Sequence, residues 1–282
     1  MPSMTWAEFA RGFDINNRPR NKADALSACL DQALLDRRSV MVYGRVGNID
    51  GGPNGTLLKG EGMILNDADT EHYTVVCAQT QEAEWKKARW EGVSASMVGS
   101  ILGVNKYEKR NYSELVHDYA RRVDTYEENP RARSGRNLEP WVISTFGKEQ
   151  GKQVFSWGYL LRSKKYPWLL ATPDGYTMEY NEALRKQVPK LIECKTHSEL
   201  SAKNWSAGIP EMYMVQKQTQ FIVTNIVSGY LLRWSYGIKC PGNPQQEVMV
   251  YDTIMDDDIC GLVIDKTKRF WDDVCHERSS IK

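Results

Sequence analysis

The chain has 282 residues, 41% of them hydrophobic and 26% charged, with a formal net charge of +1. A chain of this length can bury roughly 70–75% of its unfolded surface without disulfide staples. Its longest apolar runs, such as those within Ser39 to Tyr43 and Gly229 to Leu232, fall far short of the ~20 residues that cross a bilayer, so a membrane protein, a collagen and a coiled coil are excluded. The balance of 37 basic against 36 acidic residues rules out binding of nucleic acid through a global field but leaves room for a local basic groove. Cys29, Cys77, Cys194, Cys240, Cys260 and Cys275 form no CxxC and no zinc or iron–sulfur spacing, so free thiols in a reducing compartment are expected. The first 25 residues lack an apolar signal core and carry Glu8, Asp14 and Asp24, which predicts a cytoplasmic location.

In chain order, residues 21–38 read as a helix capped by Asn21, with Leu26, Cys29, Leu30, Ala33 and Leu34 at helical spacing. Residues 39–46 are β-rich, 48–55 form a glycine-rich loop, and 61–65 and 72–78 read as strands. Residues 1–84 are therefore expected to form an α+β extension ahead of a domain spanning 85–282. A helix is expected from Ser94, its cap, to Gly103, with Met97, Val98 and Ile101 inward. Further helices are expected at 111–128, with Leu115, Val116, Tyr119 and Val123 as its apolar residues, and at 134–146, with Gly147 and Gly151 as helix-stop or turn residues. Strands follow at 153–157, 169–171, 175–180 and 190–196. A helix comes next at 211–225, then strands at 228–236 and 246–252 and an amphipathic helix at 256–276. This order predicts an α/β fold with a small mixed sheet flanked by helices.

Chemistry concentrates in Thr172-Pro-Asp-Gly175 and Leu191-Ile-Glu-Cys-Lys195. Residues two apart on a strand share a face, so Glu193 and Lys195 point one way, and Ile192, Cys194 and Thr196 the other. A hairpin of 175–180 with 190–196 brings Asp174 beside Glu193. Two carboxylates suit a hard, oxygen-seeking Mg²⁺, which polarises a phosphoryl group and acidifies water. A nearby lysine orients or deprotonates that water and stabilises developing negative charge.

Five blocks stand in order around this core: Trp85-x(3)-Arg89-x(2)-Gly92-x-Ser94-Ala-Ser96 with Ile101-Leu-Gly103; Gly135-Arg-Asn-Leu-Glu139-Pro; Ala171-Thr-Pro-Asp-Gly175; Leu191-Ile-Glu-Cys-Lys195; and Ile209-Pro-x(2)-Tyr213-x(2)-Gln216-x-Gln218. From Trp85 to Trp234 the chain resembles the PD-(D/E)xK nuclease superfamily and, within it, the bacteriophage lambda exonuclease family of YqaJ-like viral recombinases. The resemblance implies a restriction-endonuclease-like core with a central mixed β-sheet flanked by helices. It implies that Asp174, Glu193, Glu139 and the Cys194 carbonyl hold metal, and that Lys195 is the catalytic lysine. Pro140, beside Glu139, removes a helical hydrogen bond, so a helix start or kink is expected there.

The resemblance also implies that Arg89 and Ser96 grip a 5′-terminal phosphate, with Thr172 supplying a further hydroxyl and Gln216 contacting DNA. A guanidinium matches phosphate oxygens two at a time, and Ser96 falls in the first turn of its helix. The implied activity is 5′→3′ exonucleolysis of linear double-stranded DNA to 5′-mononucleotides in phage or viral recombination. Mg²⁺ is the implied cofactor, with Mn²⁺ as substitute and two ions per site. A single-strand-annealing partner and a ring-shaped homotrimer complete the expectation. RecB-type nucleases share the core but favour Gln-x(3)-Tyr on the following helix, where this chain has Gln216 and Gln220; restriction enzymes lack the Arg89/Ser96 block. The rival functions are a PD-(D/E)xK endonuclease of the restriction or junction-cleaving kind and a catalytically inactive DNA-binding protein. The joint presence of Asp174, Glu193 and Lys195 argues against the second. Arg121, Arg122, Arg131, Arg133, Arg136, Lys106, Lys109 and Arg110 are candidates for a duplex channel, and Trp90, Trp157 and Tyr107 for a wedge between bases. His117 and His197 carry no assigned role.

Overall fold

Two β-sheets organise the computed structural model, which describes residues 40–45, 70–123, 130–198, 204–206, 208–236 and 248–281. The helix expected at 21–38, the loop at 48–55 and the strand at 61–65 lie outside those residues. The axis of the larger sheet is β8 (Lys186–Ser198). On one side it pairs antiparallel with β7 (Gly175–Asn181), which pairs antiparallel with β4 (Val154–Ser156). On the other it pairs parallel with β9 (Ser228–Tyr236). Antiparallel β10 (Val248–Ile254) and β1 (Val40–Arg45) follow, so the sheet is mixed, as expected. A second sheet was not expected. It runs β2 (Tyr73–Ala78), β5 (Tyr159–Ser163), β6 (Leu169–Ala171), β3 (Val93–Ser94), and only its β3–β6 pair is parallel. Both β1 and β2 come from the segment before residue 84, and each is an end strand of its sheet.

Parallel β8 and β9 require a crossover, and α5 (Glu211–Thr224) supplies it. This helix starts after Pro210 and stops where Asn225 turns left-handed at φ 56°. Its residues 214, 215 and 217–224 are all buried, the mark of a helix covered on every side. The alternation of β8 separates two cores. Leu191 joins α5, with Met214, Val215 and Phe221, on one face. Ile192 and Cys194 join Trp141, Val142, Ile143 and Phe146 of α4 (Pro130–Glu149) on the other. The sheet is thus sandwiched between α4 and α5.

The remaining helices are α1 (Glu82–Arg89), α2 (Ala95–Ile101), α3 (Tyr112–Arg121) and α6 (Asp257–Ser280). Of these, α2 and α6 pack on α5 directly, α3 packs on α6, and α1 lies against β2. In α6 the expected stripe of Ile259, Leu262, Val263, Phe270 and Val274 is buried, and the Asp256 carboxylate caps the helix by accepting from the Ile259 N–H at 3.0 Å. In α3 Asn111 and Glu114 form a reciprocal capping box, and Arg122 ends the helix in a left-handed conformation. Val123, expected on the helix, therefore lies past it and is exposed. Gly147 is no helix stop: α4 passes through it to Glu149, and the glycine serves close packing, since a side chain there would collide with Lys152 and Val154. Pro140 neither starts nor ends α4 and is exposed on it.

Two glycines separate close approach from mere propensity. A Cβ on Gly229 would stand 2.2 Å from the Leu191 carbonyl oxygen, across the β8–β9 pair, whereas one on Gly261, exposed on α6, meets nothing. Gly229→Ala is expected to cost about 1–3 kcal/mol through enforced displacement. Gly261→Ala is expected to stabilise by about 0.5–1 kcal/mol through helix propensity. Urea-unfolding midpoints at unchanged slope measure both, and a shift of the same sign in the two variants contradicts the account.

Candidate active site

The strand pair β7–β8 ends where the chemistry begins. Gly175 pairs with Ile192, and one residue earlier the Asp174 carboxylate accepts the Cys194 backbone N–H at 2.7 Å. Gly175 is needed there, since a Cβ would meet the Phe155 carbonyl oxygen at 2.5 Å. Glu193 points to the α5 face and is only 1% exposed. Its Oε1 accepts from Lys195 Nζ and from Gln216 Nε2 at 2.6 Å, and its Oε2 accepts from Gln220 Nε2 at 2.5 Å. Lys195 Nζ also lies 5.2 Å from the centre of the Tyr213 ring. Glu139, on α4, comes near enough to act electrostatically on both Asp174 and Cys194. The four residues Asp174, Glu193, Lys195 and Glu139 thus converge at one end of the sheet.

Charge crowding follows from that convergence. Burial, then the Glu139 and Glu193 carboxylates, push the Asp174 carboxyl well above the usual carboxylate range, against Lys195 and the Cys194 N–H. Burial also pushes the Cys194 thiol up, with the same carboxylates adding to it. For Lys195, burial acts downward, but Glu193 and Asp174 more than reverse it and hold the ammonium above its ordinary value.

A second group of side chains lies alongside. Arg89, the last residue of α1, donates through Nη2 to Ser94 Oγ at 3.2 Å and Ser96 Oγ at 3.0 Å, and its guanidinium lies 4.5 Å from the Trp85 ring centre. Ser94 occupies the cap position of α2, but its hydroxyl turns to Arg89 and Ser96 and does not cap the helix. Ser96 is exposed. Parallel pairing sets Ser94 beside Leu170, so Ser96 and Thr172 each lie two residues beyond a partnered pair, and Asp174 follows Thr172 by two more. Fully extended chain covers at most about 7 Å from Thr172 to Asp174. The Arg89 group and the carboxylate group therefore share one end of the fold.

The roles of three polar residues of α5, Lys217, Gln218 and Gln220, were not assigned from the sequence. Gln220 stands one turn after Gln216, so both reach Glu193; the i, i+4 pair of glutamines on a helix was the available signal. Gln218 does structural work, donating to the Ile254 carbonyl at 2.8 Å and accepting the Asp256 N–H at 2.9 Å. Lys217 has no exposure and donates to the Leu191 carbonyl at 3.0 Å. Gln216, expected to touch DNA, holds Glu193 here.

Several surface expectations change. Arg110 is engaged by Glu108 and Asp118, Arg121 by Glu277, and Arg122 by Glu91, so these three are held by carboxylates. The side chains of Arg131, Arg133 and Arg136 lie outside the described residues. Trp157 is core, and Trp90 packs edge-on against Tyr119 at 4.9 Å, which leaves Tyr107 as the exposed candidate wedge. His117 pairs with Glu277 at 2.9 Å, and His197 accepts from Arg233 Nε at 2.6 Å.

A model of the YqaJ-like viral recombinase domain matches residues 84–227, just over half of the chain. The chain belongs to that family. Over 193 residues it is 28% identical to the uncharacterized protein YqaJ of Bacillus subtilis, a stretch that is 67% of this chain and 55% of that one. It therefore spans about half the length of this curated relative. The fold resembles an alkaline exonuclease from Laribacter hongkongensis, solved alone and in complex with dAMP. The TM-score is 0.55 and the identity 23% in both cases, over 71% of this chain and 95% and 96% of those chains. The architecture is mixed α/β with a restriction-endonuclease-like core.

The donor set of this YqaJ-like domain suits a hard divalent ion: Asp174 and Glu139 offer oxygen, and a cation would relieve the crowding at Asp174. Glu193 stands with them, but both of its oxygens are already held from α5 and Lys195. Among the described residues no three His, Cys, Asp or Glu side chains form a ready-made metal cluster.

Lys217 gives a test of the site's electrostatics. Burial lowers its ammonium to about 7, against the pull of Glu193 and Asp174. The unfolded chain takes up this proton below 10.5 and the folded protein only below about 7, so this group makes stability rise with pH between those limits, by up to about 1.4 kcal/mol per pH unit. Below about 7 both states are protonated and the dependence vanishes. Lys217→Met is expected to be more stable than the parent at pH 7, with the difference shrinking as pH rises to 8.5. Denaturant titrations at several pH values measure it, and a difference independent of pH over that range refutes the assignment.

Proposed function

We propose that this chain is a metal-dependent exonuclease that degrades linear double-stranded DNA in the 5′→3′ direction, releasing 5′-mononucleotides. The observation that carries the reading is the shared end of the fold: an arginine with two serine hydroxyls beside a group of three carboxylates and a lysine. The first group has the chemistry of a terminal-phosphate receptor. The second has the chemistry of phosphodiester hydrolysis. Alkaline exonuclease is the activity in the name of the Laribacter protein that shares the fold, and that structure was also solved with a mononucleotide.

Asp174 and Glu139, with the Cys194 carbonyl and, once an oxygen is released, Glu193, would hold Mg²⁺ or Mn²⁺, two ions to a site. Metal bound there would supply neutralisation of phosphoryl charge and a more acidic water. Lys195, kept as an ammonium by Glu193, stabilises negative charge as it develops on the phosphoryl oxygens. Glu193, Gln216 and Gln220 fix where that ammonium sits. Arg89, Ser96 and Thr172 position the 5′ end, so cleavage falls at a set distance from the terminus. The setting is phage or viral recombination in a host cytoplasm, with a single-strand-annealing partner and a trimeric ring. Residues 1–84 stand as an extension to the nuclease domain of 85–282.

Lys195→Ala and Asp174→Ala are each expected to lower turnover at least about 10²-fold while the protein stays folded. Arg89→Ala is expected to cut the preference for 5′-phosphate over 5′-hydroxyl duplex about ten- to a hundredfold. The assay compares both ends and closed circles, with and without Mg²⁺. Cleaved circles point to an endonuclease, and binding without cleavage to an inactive DNA-binding protein. An unchanged phosphate/hydroxyl ratio in Arg89→Ala overturns the end-recognition role.

A further inference from the structure

Tyr107 is the most exposed large side chain among the described apolar and aromatic residues, at 62%, yet the backbone beneath it is firmly built. Gly103, at φ 77°, turns the chain out of α2. The N–H groups of Val104 and Asn105 both donate to the Gly99 carbonyl, at 2.9 and 3.0 Å. Asn105 Nδ2 donates to Ser100 Oγ at 2.9 Å, and Asn105 Oδ1 accepts the Tyr107 N–H at 3.0 Å. The Glu108 N–H donates to the Asn105 carbonyl at 3.1 Å, and Arg110 holds the Glu108 carboxylate with two bonds of 2.9 Å. A turn this fully bonded presents its tyrosine in a fixed place, and an aromatic ring gains nothing for the fold by standing in water.

The ring is also close to the reacting groups. Its hydroxyl accepts from Asn204 Nδ2 at 2.9 Å. The next residue, Trp205, is buried and stacks on Tyr213, with ring centres 5.4 Å apart. Tyr213 in turn lies under Lys195, and the Tyr107 phenol is near enough to act electrostatically on that of Tyr213. Lys106 and Lys109, both exposed, stand on either side of Tyr107 in the chain, while the one acidic residue between them, Glu108, is neutralised by Arg110. A fixed aromatic face between two exposed lysines, beside a phosphodiester-cleaving site, matches the chemistry of a nucleobase platform: the π-face takes a base and the cations take the backbone on either side.

We propose that Tyr107 stacks on a nucleobase of the strand held in the active site, with Lys106 and Lys109 on the adjacent phosphates. This rests on the nuclease reading above and adds a substrate contact to it. The contact is to the base face, so it tolerates any sequence and fails for a missing base.

The test is a two-way cycle in metal-free buffer with EDTA, where binding is read without cleavage. Affinities of the wild type, Tyr107→Ala and Tyr107→Phe are measured for 5′-phosphorylated single-stranded deoxyoligonucleotides carrying one abasic position, scanned through the first four nucleotides. The wild type is expected to lose about tenfold in affinity at one abasic position. Tyr107→Ala is expected to bind the intact strand about tenfold more weakly and to be indifferent to that same position. Tyr107→Phe, which keeps the ring and loses the hydroxyl bonded to Asn204, is expected to behave as the wild type. Equal abasic sensitivity in the wild type and Tyr107→Ala overturns the stacking role, as does a Phe variant that matches Ala. A wild type that cleaves DNA with Mg²⁺ while either result holds leaves the nuclease reading standing. A wild type that neither binds nor cleaves any DNA removes both.

Discussion

A carboxylate that is 1% exposed governs this structure. An ionised Glu193 in that position is unfavourable unless its oxygens are bonded, and they are, by Lys195 from its own strand and by Gln216 and Gln220 from α5. The requirement fixes more than one residue. It sets the rotation of α5 about its axis, because two glutamines one turn apart must face β8. It sets the register of β8 against α5, because Leu191 on the same strand face must reach Lys217. The parallel β8–β9 pair then follows from the length of the crossover, and Gly229 lets the two strands approach at its start.

Strand alternation divides the labour of β8. Odd-numbered residues from 191 to 197 face α5 and carry the polar chemistry: Glu193, Lys195 and His197. Ile192 and Cys194 close an apolar core with α4. Asp174 belongs to neither face. It sits just before β7 and bonds to the backbone of Cys194, so it stands at the end of the sheet, where Glu139 from α4 reaches it. The crowding of like charge there contributes nothing to stability. Aromatic contacts on both sides hold the frame that tolerates it, among them Trp141 with Trp234 at 5.3 Å and Phe155 stacked on Tyr176 at 4.9 Å.

The sequence was most legible where period and punctuation agreed. β9, β7, α5 and α6 follow from alternation or helical spacing bounded by Gly, Pro or Asp, and Asp174, Glu193 and Lys195 from strand geometry plus family resemblance. Two kinds of information were missing. Short strands such as β3 and β5 exist because a neighbour pairs with them, and two or five residues carry too little period to announce that. The partners of surface charges are set by tertiary contact as well: Arg122 and Glu91 are 31 residues apart, and Arg121 and Glu277 are 156 apart. A run of arginines in sequence therefore looked like a phosphate channel, whereas the fold engages three of them with carboxylates. Lys217 was illegible for the opposite reason. A lysine between two glutamines reads as solvent-facing, and only the packing of α5 on every side shows it buried.

An aromatic run borders the site at Lys195. Tyr213, Trp205 and His197 lie in a near-parallel run, with centres 5.4 and 5.6 Å apart and interplanar angles of 27° and 21°. Arg233 closes the run, its guanidinium 5.1 Å from the Trp205 ring and its Nε on His197. Trp205 comes from the short turn at 204–206, so a buried indole ties that turn to β8 and to the first turn of α5 at once. Stacked rings resist sliding through loss of dispersion contact over their whole area. Asn204 is thereby held where it meets Tyr107, Tyr213 where it lies under Lys195, and the exposed tyrosine and the buried ammonium keep a fixed relation although 88 residues of chain separate them.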